Sequence, residues 1–422
     1  MKILVIGSGG REHAITRALA QDDTEIYAAV TNRNPGIVEL AADVRELDTN
    51  SPAEIGDYAD EVGAELAVVG PEAPLQAGVV DELEERGVYA FGPKKKAARI
   101  ETDKAWARRF MQENDITGTP DFAVFEDVDE ACAYVDEYNG DVAVKPHGLT
   151  GGKGVRVTGD QLTKQEAKDY MRDSDWDDWV IEERLVGEEF TLQAFVANGE
   201  IRATPAVQDH KRAYEGDEGP NTGGMGSYND AGFVLPFMNQ DDYDAALGIM
   251  EETVEALPDY RGILYGQFML TDEGPKVVEF NARFGDPEAM NVLPILDTDF
   301  VDVIEGARDG AMPEVGFERK ATVCKYAVPE GYPTNPEGGT EITLSEEEAG
   351  DALVFYASVD EKKGELYTTT SRSLAVVGVG DTIEEAEEIA DDALSILGDG
   401  LRVRHDIGKP ELVQKRIDHM ET

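Results

Sequence analysis

Four glycines and two lysines fall within sixteen residues, VAVKPHGLTGGKGVRV at 142–157. Apolar runs flank the glycines, so the pattern predicts a strand, a flexible loop and a second strand. Such a hairpin can fold over a triphosphate, because glycine lets backbone N–H groups approach the phosphate oxygens closely. Lys145, on the first strand, would add a point charge. The spacing is not that of a Walker loop, because Gly154 follows Lys153 where that loop requires Ser or Thr.

The charge of the chain favours an anion at this loop. The 422 residues include 38 Lys plus Arg and 88 Asp plus Glu, for a net charge of −50. In a chain that mostly avoids cations, clustered lysines are better explained by a bound anion than by a solvated turn, which is the alternative. The acid excess disfavours nucleic acid as a partner. It resembles the composition of proteins from salt-accumulating cytosols and predicts a halophilic source.

Length and composition predict a multidomain cytoplasmic protein. At about 100–200 residues per domain, the chain suggests two to four domains. It has no run of about 18 apolar residues, so we expect no membrane partner. The start MKILVIGSGG enters a strand rather than a signal peptide. Cys132 and Cys324 stand far apart, which disfavours disulfides and zinc clusters. We expect the protein to act as a monomer.

The first hundred residues alternate apolar strands and helical stretches, which predicts an open parallel α/β sheet. The strand candidates are 2–7, 25–30, 65–70 and 88–92. Gly7-x-Gly9 is a weak dinucleotide fingerprint, and the second strand lacks the acid that would hold a ribose. Two alternatives stay open for this turn. Backbone amides at the helix start could hold another anion beside Arg11, or the turn could carry no ligand.

Further helices are predicted at 102–114, with Thr102 as cap, at 297–310, and at 382–397. In the last of these, Thr382 and Glu385 match a capping box.

The run YGQFMLTDEGPKVVEFNARFGDPEAM at 265–290 predicts a β-hairpin with an oxygen cluster. Glu279 and Asn281 are two residues apart and therefore share one strand face. With the turn centred on residue 273 and no bulge, Gln267 lies opposite Glu279. One carboxylate and two amide carbonyls suit Mg²⁺, which keeps waters and shares substrate phosphates. Arg283 adds a cation beside the expected phosphates.

The run WVIEERLVGEEFTLQAFV at 179–196 offers a nucleotide-base site. The strand end at Glu182 and Glu183 could present backbone groups to an adenine edge, and Glu188 a carboxylate to ribose hydroxyls. Alternatively, these glutamates form a solvated face.

Nine motifs closely resemble, in order, those of the phosphoribosylamine–glycine ligase (glycinamide ribonucleotide synthetase) family. They are VIGSGGREHA, VVGPEAPL, FGP, KPHGLTGGKGV, IEERLVGEE, QDHKR, GPNTGGMGSY, EFNARFGDPE and RHDIG. The resemblance implies an α/β and α+β multidomain protein with an ATP-grasp fold, an N-terminal open parallel α/β domain and a small C-terminal domain. The implied domains are 1–101, 102–325, with a mobile lid at about 120–190, and 326–422.

The resemblance also implies a reaction. Glycine would be joined to 5-phosphoribosylamine, with ATP and Mg²⁺ or Mn²⁺ as cofactors, in purine synthesis. Phosphorylation would turn the glycine carboxylate into glycyl phosphate, whose leaving group is phosphate rather than oxide. Catalysis would then be mainly positioning and charge neutralisation. The alternatives are another ATP-grasp carboxylate–amine ligase and a non-catalytic ATP-binding regulator.

Site residues follow from the resemblance by position. Lys104 and Lys145 would bind ATP phosphates, and Lys145 and Arg283 are expected to be catalytic. Nucleotide contacts are expected from Gly148, Gly151, Gly152, Gly154, Glu182, Glu183, Leu185 and Glu188. Substrate contacts are expected from Gly9, Gly10, Arg11, Asp209, His210, Lys211, Arg212, Asn221, Thr222, Gly223, Gly224, Met225 and Asp286. Metal ligands are expected from Glu279, Asn281 and, by the hairpin register alone, Gln267.

The sequence departs from the family pattern at three places. His147 stands where the family usually has Asp, the run TTSRSLA lacks the glycine pair usual before Arg372, and Gln267 replaces a small residue.

Overall fold

The computed structural model of the chain describes residues 1–147, 154–176 and 178–421. At the N-terminal end, a parallel sheet with strand order β3-β2-β1-β4-β5 confirms the predicted α/β pattern. The strands are β1 (Lys2–Ile6), β2 (Glu25–Val30), β3 (Asp43–Glu46), β4 (Leu66–Val69) and β5 (Tyr89–Phe91). The helices are α1 (Gly10–Leu19), α2 (Pro35–Leu40), α3 (Pro52–Val62), α4 (Glu72–Ala77) and α5 (Val79–Glu85).

Strand β1 lies at the centre of this sheet, and its apolar residues are therefore fully buried. Edge strand β3 has the sequence DVRE, which no apolar pattern predicts. The strand order changes direction between β1 and β4, so a crevice opens beyond their carboxyl ends.

A small sheet with strand order β6-β9-β7-β8 follows. Its strands fall within the predicted lid range of about 120–190, and we call it the lid sheet. Its elements are α6 (Lys95–Thr102), α7 (Lys104–Glu113), β6 (Phe122–Phe125), α8 (Val128–Glu137), β7 (Val142–Pro146), β8 (Arg156–Val157), α9 (Lys164–Asp173) and β9 (Trp179–Glu183). Antiparallel pairing of β7 with β8 confirms the strand–loop–strand prediction. The predicted cap Thr102 is wrong: it ends α6, and the side chain of Asp103 caps α7 by accepting from the Trp106 N–H at 2.9 Å.

A second sheet, β11-β10-β16-β17, provides the facing layer. Its strands are β10 (Glu188–Ala197), β11 (Glu200–Ala203), β16 (Gly262–Thr271) and β17 (Gly274–Asn281). Around it lie β12 (Gln208–Asp209), β13 (Arg212–Tyr214), β14 (Glu218–Asn221), β15 (Gly226–Asn229), α10 (Gln240–Ala256), α11 (Ala289–Val292) and α12 (Phe300–Asp309).

The β16–β17 hairpin has the predicted pairing for a reason that was not predicted. Thr271 pairs with Gly274, so the turn is centred earlier than expected and would by itself place Gln267 opposite Val278. A register shift at Val278 then moves Gln267 opposite Glu279. The pairing of Gln267 with Glu279 is confirmed, but it depends on a bulge rather than on the absence of one.

The C-terminal part builds a sheet with order β12-β15-β18-β23-β20, in which β24 also pairs with β18. A smaller sheet has the order β19-β22-β21. The elements are β18 (Ala321–Pro329), β19 (Glu341–Ile342), β20 (Leu353–Tyr356), β21 (Val359–Lys362), β22 (Glu365–Thr368), β23 (Leu374–Gly380), α13 (Ile383–Leu394), β24 (Leu401–Arg402) and α14 (Pro410–Met420). The proposed boundary between residues 325 and 326 therefore falls inside one continuous strand.

Thr382 caps α13 by accepting from the Glu385 N–H, as predicted, whereas the Glu385 carboxylate accepts from the Asp381 N–H at 2.7 Å. Cys132 and Cys324 are both buried and free. No helix in the described part of the chain is long and apolar enough to cross a bilayer.

Candidate active site

A cavity of about 330 Å³ lies where the loops after β1 and β4 meet the β16–β17 hairpin and the edge of the C-terminal sheet. Its lining is dominated by charged groups of both signs. The cations are Arg11, Lys104, Lys211, Arg283 and Arg372, and the carboxylates are Glu72, Glu101, Asp209, Glu279, Asp286 and Glu288. Asn221, Thr222, Gly223, Tyr265, Gln267, Asn281 and Gly285 complete the wall. With five cations beside six carboxylates, the lining offers partners both to anions and to the cations that accompany them.

The hairpin contributes an oxygen cluster to this cavity. Gln267, Glu279 and Asn281 all line it, so the three predicted metal ligands share one face. The Gln267 Nε2 group donates to Glu189 Oε2 at 2.6 Å, which turns Gln267 Oε1 the other way. That oxygen is buried and has no hydrogen-bond partner among the described residues. One carboxylate and two amide oxygens, one of them unsatisfied, fit a hard divalent cation that also takes phosphate oxygens.

Glu279 carries the charge of this cluster. Burial would raise the pKa of Glu279, but the charges of Lys211, Lys145 and Lys104 outweigh burial and hold that pKa below its usual value. The carboxylate therefore stays ionised and can bind a cation. No group of three or more His, Cys, Asp or Glu placed to hold a metal is present in residues 1–147, 154–176 and 178–421. A metal at this site would depend on the amide oxygens and the substrate.

The two lysines predicted to bind phosphate line one small cavity that adjoins the first. Lys104 and Glu279, which also line the first cavity, line this one of about 30 Å³ together with Lys145 and Glu182. Lys145 is buried, and its Nζ donates to Glu182 Oε2 at 2.7 Å. Arg108, which the sequence analysis missed, holds the same carboxylate with donor distances of 2.7 and 2.9 Å. Burial, with the nearby charge of Lys145, lowers the pKa of Lys104 despite Glu279.

Only the backbone at Glu182 was expected to meet adenine, and the structure shows separately where its side chain lies. Its carboxylate is engaged by Lys145 and Arg108 rather than directed to a base. Burial would raise the pKa of Glu182, but these two cations lower it to about 2. Glu183 accepts from the Asp121 N–H and from Lys276, each at 3.0 Å. What this strand can offer an adenine edge is therefore backbone, continuing to the half-buried Leu185.

The expected contact of the Glu188 carboxylate with ribose hydroxyls is not supported by the structure. Glu188 lies on the opposite face of β10, where His419 Nδ1 is 2.6 Å and Arg416 Nε is 3.5 Å from its carboxylate. Its neighbour Glu189 lies on the cavity face, bonded to Gln267 and 3.8 Å from Lys211 Nζ. Side chains alternate along a strand, so only one of two consecutive glutamates can face a ligand. The sequence pattern GEEF contains both and does not say which.

Arg283 is held between two carboxylates that the sequence analysis missed. Its guanidinium is 2.8 Å from Glu101 Oε1 and 3.6 Å from Glu72 Oε2. Glu101 Oε2 accepts from the Ala282 N–H at 2.8 Å. Burial raises the pKa of Glu101 even beside this arginine. Burial would lower the pKa of Arg283, but Glu101 and Glu72 outweigh it and raise that pKa. Glu72 belongs to the motif VVGPEAPL, which was a signal for it.

Two carboxylates that line the cavity, Asp209 and Glu288, interact electrostatically. Glu288 Oε1 accepts from Tyr265 at 2.8 Å and from Thr191 at 3.1 Å. Asp209 Oδ1 is buried and has no hydrogen-bond partner within the described ranges. Burial and the charge of Glu288 raise the pKa of Asp209 well above its usual value. Burial would lower the pKa of Lys211, but Glu189, with other nearby carboxylates, raises it.

Three residues expected to contact substrate, His210, Arg212 and Met225, do not line the cavity. The His210 ring is buried 5.6 Å from the Tyr228 ring, between the inward-facing Asp209 and Lys211, because side chains alternate here as well. Arg212 donates to Gly219 O at 2.8 Å and is 3.2 Å from Asp160. Met225 is fully buried in the core.

Residues 221–223 do line the cavity, whereas the expected contact Gly224 does not, and Arg372 holds this segment in place. Arg372 donates to the carbonyl oxygens of Gly223 at 2.8 Å and Gly224 at 3.0 Å. It also pairs with Asp286 Oδ2 at 3.0 Å. Gly224 packs closely against Pro287, and a Cβ at this position would lie only 2.6 Å from the proline ring. Arg372 thus lines the cavity although its own loop lacks the usual glycines.

The N-terminal glycine turn is filled by the chain itself. The Gly9 N–H donates to Glu12 Oε2 at 2.7 Å, and Arg11 Nε donates to Glu12 Oε1 at 2.6 Å. Gly10 packs under Tyr326, whose hydroxyl would be 2.7 Å from a Cβ. Of these expected phosphate contacts only Arg11 lines the cavity, and the amides of Gly9 and Gly10 do not.

The glycine loop falls mostly outside the described residues, which exclude Gly148, Gly151 and Gly152. Gly154 follows the excluded part, and its carbonyl accepts from Tyr170 at 2.9 Å. His147 precedes it, with Nε2 3.7 Å from Asp103 Oδ1.

Two sheets that meet at a cavity lined by Lys145, Glu182 and Glu279 indicate an ATP-grasp fold. Family models of phosphoribosylglycinamide synthetase match the chain as N domain (1–101), ATP-grasp domain (102–289) and C domain (322–410). The chain therefore belongs to the phosphoribosylglycinamide synthetase family.

Relatives span the whole chain. It is 54% identical to the phosphoribosylamine–glycine ligase of Methanocella arvoryzae, covering 100% of this chain and 99% of the relative. The Methanosarcina barkeri ligase is also 54% identical, with the same coverage. The solved phosphoribosylamine–glycine ligase of Thermotoga maritima superposes with a TM-score of 0.82 at 31% identity, covering 96% of this chain and 100% of that one. A biotin carboxylase domain from Hydrogenobacter thermophilus, with a TM-score of 0.73 at 16% identity, shares the fold.

Proposed function

We propose that the chain ligates glycine to 5-phosphoribosylamine with cleavage of ATP to ADP and phosphate, as a step of purine biosynthesis. The observation that carries the proposal is the convergence of two sets of groups in one cavity. The residues proposed to bind phosphate and metal (Lys104, Glu279 and Asn281) line the same 330 Å³ cavity as residues proposed to bind glycine or phosphoribosylamine (Asp209 and Arg372). Transfer between two bound substrates requires that their sites be contiguous.

The proposed chemistry asks the protein for charge neutralisation rather than a nucleophile. A glycine carboxylate oxygen attacks the γ-phosphorus, ADP leaves, and glycyl phosphate forms. The amine of phosphoribosylamine then attacks the carbonyl carbon, phosphate leaves, and the nitrogen loses a proton. Lys145 and Lys104 would neutralise the ATP phosphates and Arg283 the transferred group. A divalent ion, which we propose to be Mg²⁺ or Mn²⁺, would when bound by Gln267, Glu279 and Asn281 neutralise further phosphate charge.

For the nucleoside we propose contacts from backbone near Leu185 to adenine and from Glu189 to the ribose hydroxyls. Glu189 replaces Glu188 in this role because it alone shares the face of Gln267. Arg11 and Arg372 are proposed to bind the ribose phosphate or the glycine carboxylate.

ADP release in the presence of ATP and Mg²⁺ tests the function. We expect release to require both glycine and 5-phosphoribosylamine, with glycinamide ribonucleotide formed in equal amount. Release with a different carboxylate or amine would favour another ATP-grasp ligase. ATP binding without any release would favour a non-catalytic regulator.

We further propose that the pair of Asp209 and Glu288 binds the ammonium group of glycine, which would relieve their mutual repulsion. Only the ionised form of Asp209 can do so. Because burial and Glu288 raise its pKa, Asp209 should take up its proton at a higher pH than an ordinary aspartate. Glycine affinity is then retained above the raised pKa and lost as the pH falls through it.

Asp209→Asn should therefore raise the KM for glycine about tenfold or more, since a hydrogen bond to a charged group is worth about 1.5–3 kcal/mol. It should also remove the acid-side rise of KM seen in the wild type. Steady-state kinetics at varied glycine and pH measure both effects. Asp259→Asn, at an exposed position, should match the wild type. An unchanged pH profile in Asp209→Asn would contradict the assignment.

Salt is expected to stabilise the protein, because self-repulsion at a net charge of −50 destabilises the compact state. Salt shortens the Debye length to about 3 Å at 1 M and so weakens this repulsion. The melting temperature should rise steadily from low to molar KCl. A salt-independent melting temperature would remove the proposal of a halophilic source. The curated sequence relatives come from methanogens and give that source no support.

We also propose that the protein acts as a monomer in the cytoplasm without nucleic acid or membrane partners; the net charge of −50 disfavours nucleic acid. We propose the domains 1–101, 102–325 and 326–422, with the reservation that β18 (Ala321–Pro329) crosses the last boundary.

A further inference from the structure

Arg108 lies behind the proposed nucleotide site and contacts both of its halves. It is 4% exposed and projects from α7. Its Nε and Nη2 groups donate to the two Glu182 oxygens at 2.7 and 2.9 Å. Nη2 also donates to the carbonyl oxygens of Val277 at 2.9 Å and Val278 at 2.7 Å. One side chain therefore joins β9 of the lid sheet to β17 of the facing sheet.

The first contact affects the phosphate lysine. Glu182 is shared, since Lys145 Nζ is 2.7 Å from the Oε2 atom that Arg108 also holds. If Lys145 is to turn to a phosphate, a buried carboxylate must keep another cation, because an unpaired buried charge is costly. Arg108 is that cation. Its planar fork suits a bidentate carboxylate contact that a lysine cannot reproduce.

The second contact affects the metal carboxylate. Val278 is the bulged residue whose extra position moves Glu279 opposite Gln267. A one-residue change of register would turn Glu279 to the other face of the sheet. Arg108 donates to the carbonyl of this bulge, and Lys145 Nζ does so at 3.2 Å. A bulge leaves a ladder carbonyl without its strand partner, and Arg108 supplies a replacement donor.

We propose that Arg108 is a positioning residue with two separable effects. It holds Glu182 so that Lys145 is free to bind ATP phosphates, and it fixes the Val278 bulge so that Glu279 faces the metal. The proposal rests on the nucleotide site described above, and the helix offers a matched control. Arg109, the next residue of α7, is exposed.

Metal-free ATP binding, measured by titration calorimetry, tests the first effect. Arg108→Met should weaken ATP binding about tenfold, because Glu182 then keeps Lys145 as its only cation. Arg109→Met should bind like the wild type. Adding Glu182→Gln to Arg108→Met should restore affinity to within about twofold, since Lys145 is released again. Equal affinities for Arg108→Met and Arg109→Met, beside weakened binding in Lys145→Met, would overturn this effect.

The Mg²⁺ concentration needed for half-maximal ADP release tests the second effect. It should rise about tenfold in Arg108→Met and stay raised in the double variant, because the added Glu182→Gln change does not restore the bulge contacts. Arg108→Lys, which keeps a buried cation if Arg108→Met fails to fold, should bind metal-free ATP nearly normally yet need more Mg²⁺. The proposal would be overturned if Arg108→Lys had the wild-type ATP affinity and the wild-type Mg²⁺ requirement. It would also be overturned if glycine affinity fell in parallel with ATP affinity and with the rise in Mg²⁺ requirement. Failure of Lys145→Met to weaken ATP binding would instead overturn the proposed nucleotide site.

Discussion

Replacing Lys145 by methionine is expected to lower kcat for ADP release by about 10²–10³-fold, by analogy with loss of one transition-state donor. Methionine keeps the length of the apolar stem and removes the ammonium group. That group is buried and is held near Glu182 and the Val278 carbonyl. Once turned from Glu182 to a phosphate, it would supply a positive charge that water could not replace well. Single-turnover ADP release at saturating ATP measures the effect.

The fold should survive this change, because Arg108 still pairs with Glu182. Lys168→Met is a suitable control, since Lys168 lies in the same lid region and pairs with exposed Asp136 at 2.7 Å. It should leave kcat unchanged. Near-normal turnover by Lys145→Met at saturating ATP would contradict the phosphate-binding role.

Glu279→Gln should have the second large effect, lowering kcat/KM by about 10²-fold or more. Glutamine keeps the shape but removes the one full negative charge among the three proposed metal ligands. The charges of Lys211, Lys145 and Lys104, which now lower the pKa of Glu279, would repel a metal ion without that carboxylate to offset them. Asn281→Ala should cost less, because it removes a neutral ligand. Gln267→Ala should mainly raise the Mg²⁺ requirement.

Glu273→Gln provides the matched control for the hairpin. Glu273 lies in the turn of the same hairpin and contacts Lys276 at 3.2 Å, with a side chain that is 72% exposed. Titrating Mg²⁺ and Mn²⁺ at fixed ATP compares the four variants. A smaller loss in Glu279→Gln than in Asn281→Ala would rule out Glu279 as the main metal ligand.

The hairpin shows how far local pattern could predict the site. The shared face of Glu279 and Asn281 follows from the period of a strand and holds in the structure. The pairing of Gln267 was correct although the turn and the bulge each differ from expectation, because their two displacements compensate. Neither displacement is visible in the sequence. A bulge is held by donors from elsewhere, here Arg108 and Lys145.

Two of the misplaced residues, Glu188 and His210, share one cause. In GEEF and in QDHK, consecutive polar residues point to opposite faces, and periodicity cannot say which face meets the ligand. The packing of α14 on Glu188 and of Tyr228 on His210 decides it. Likewise, the glycine turn after β1 could hold an anion by its composition, but Glu12 occupies it.

By itself, the sequence determined the parallel N-terminal sheet, the two hairpins, the family and most of the charged groups at the site. These depend on local periodicity, on glycine positions and on contiguous motifs. Only the tertiary structure decided which charges meet. Arg108 and Glu182 are 74 positions apart, and Glu101 and Ala282 are 181 apart. Such pairs form because the sheets close on one another, and the low dielectric inside then makes each buried charge require a partner.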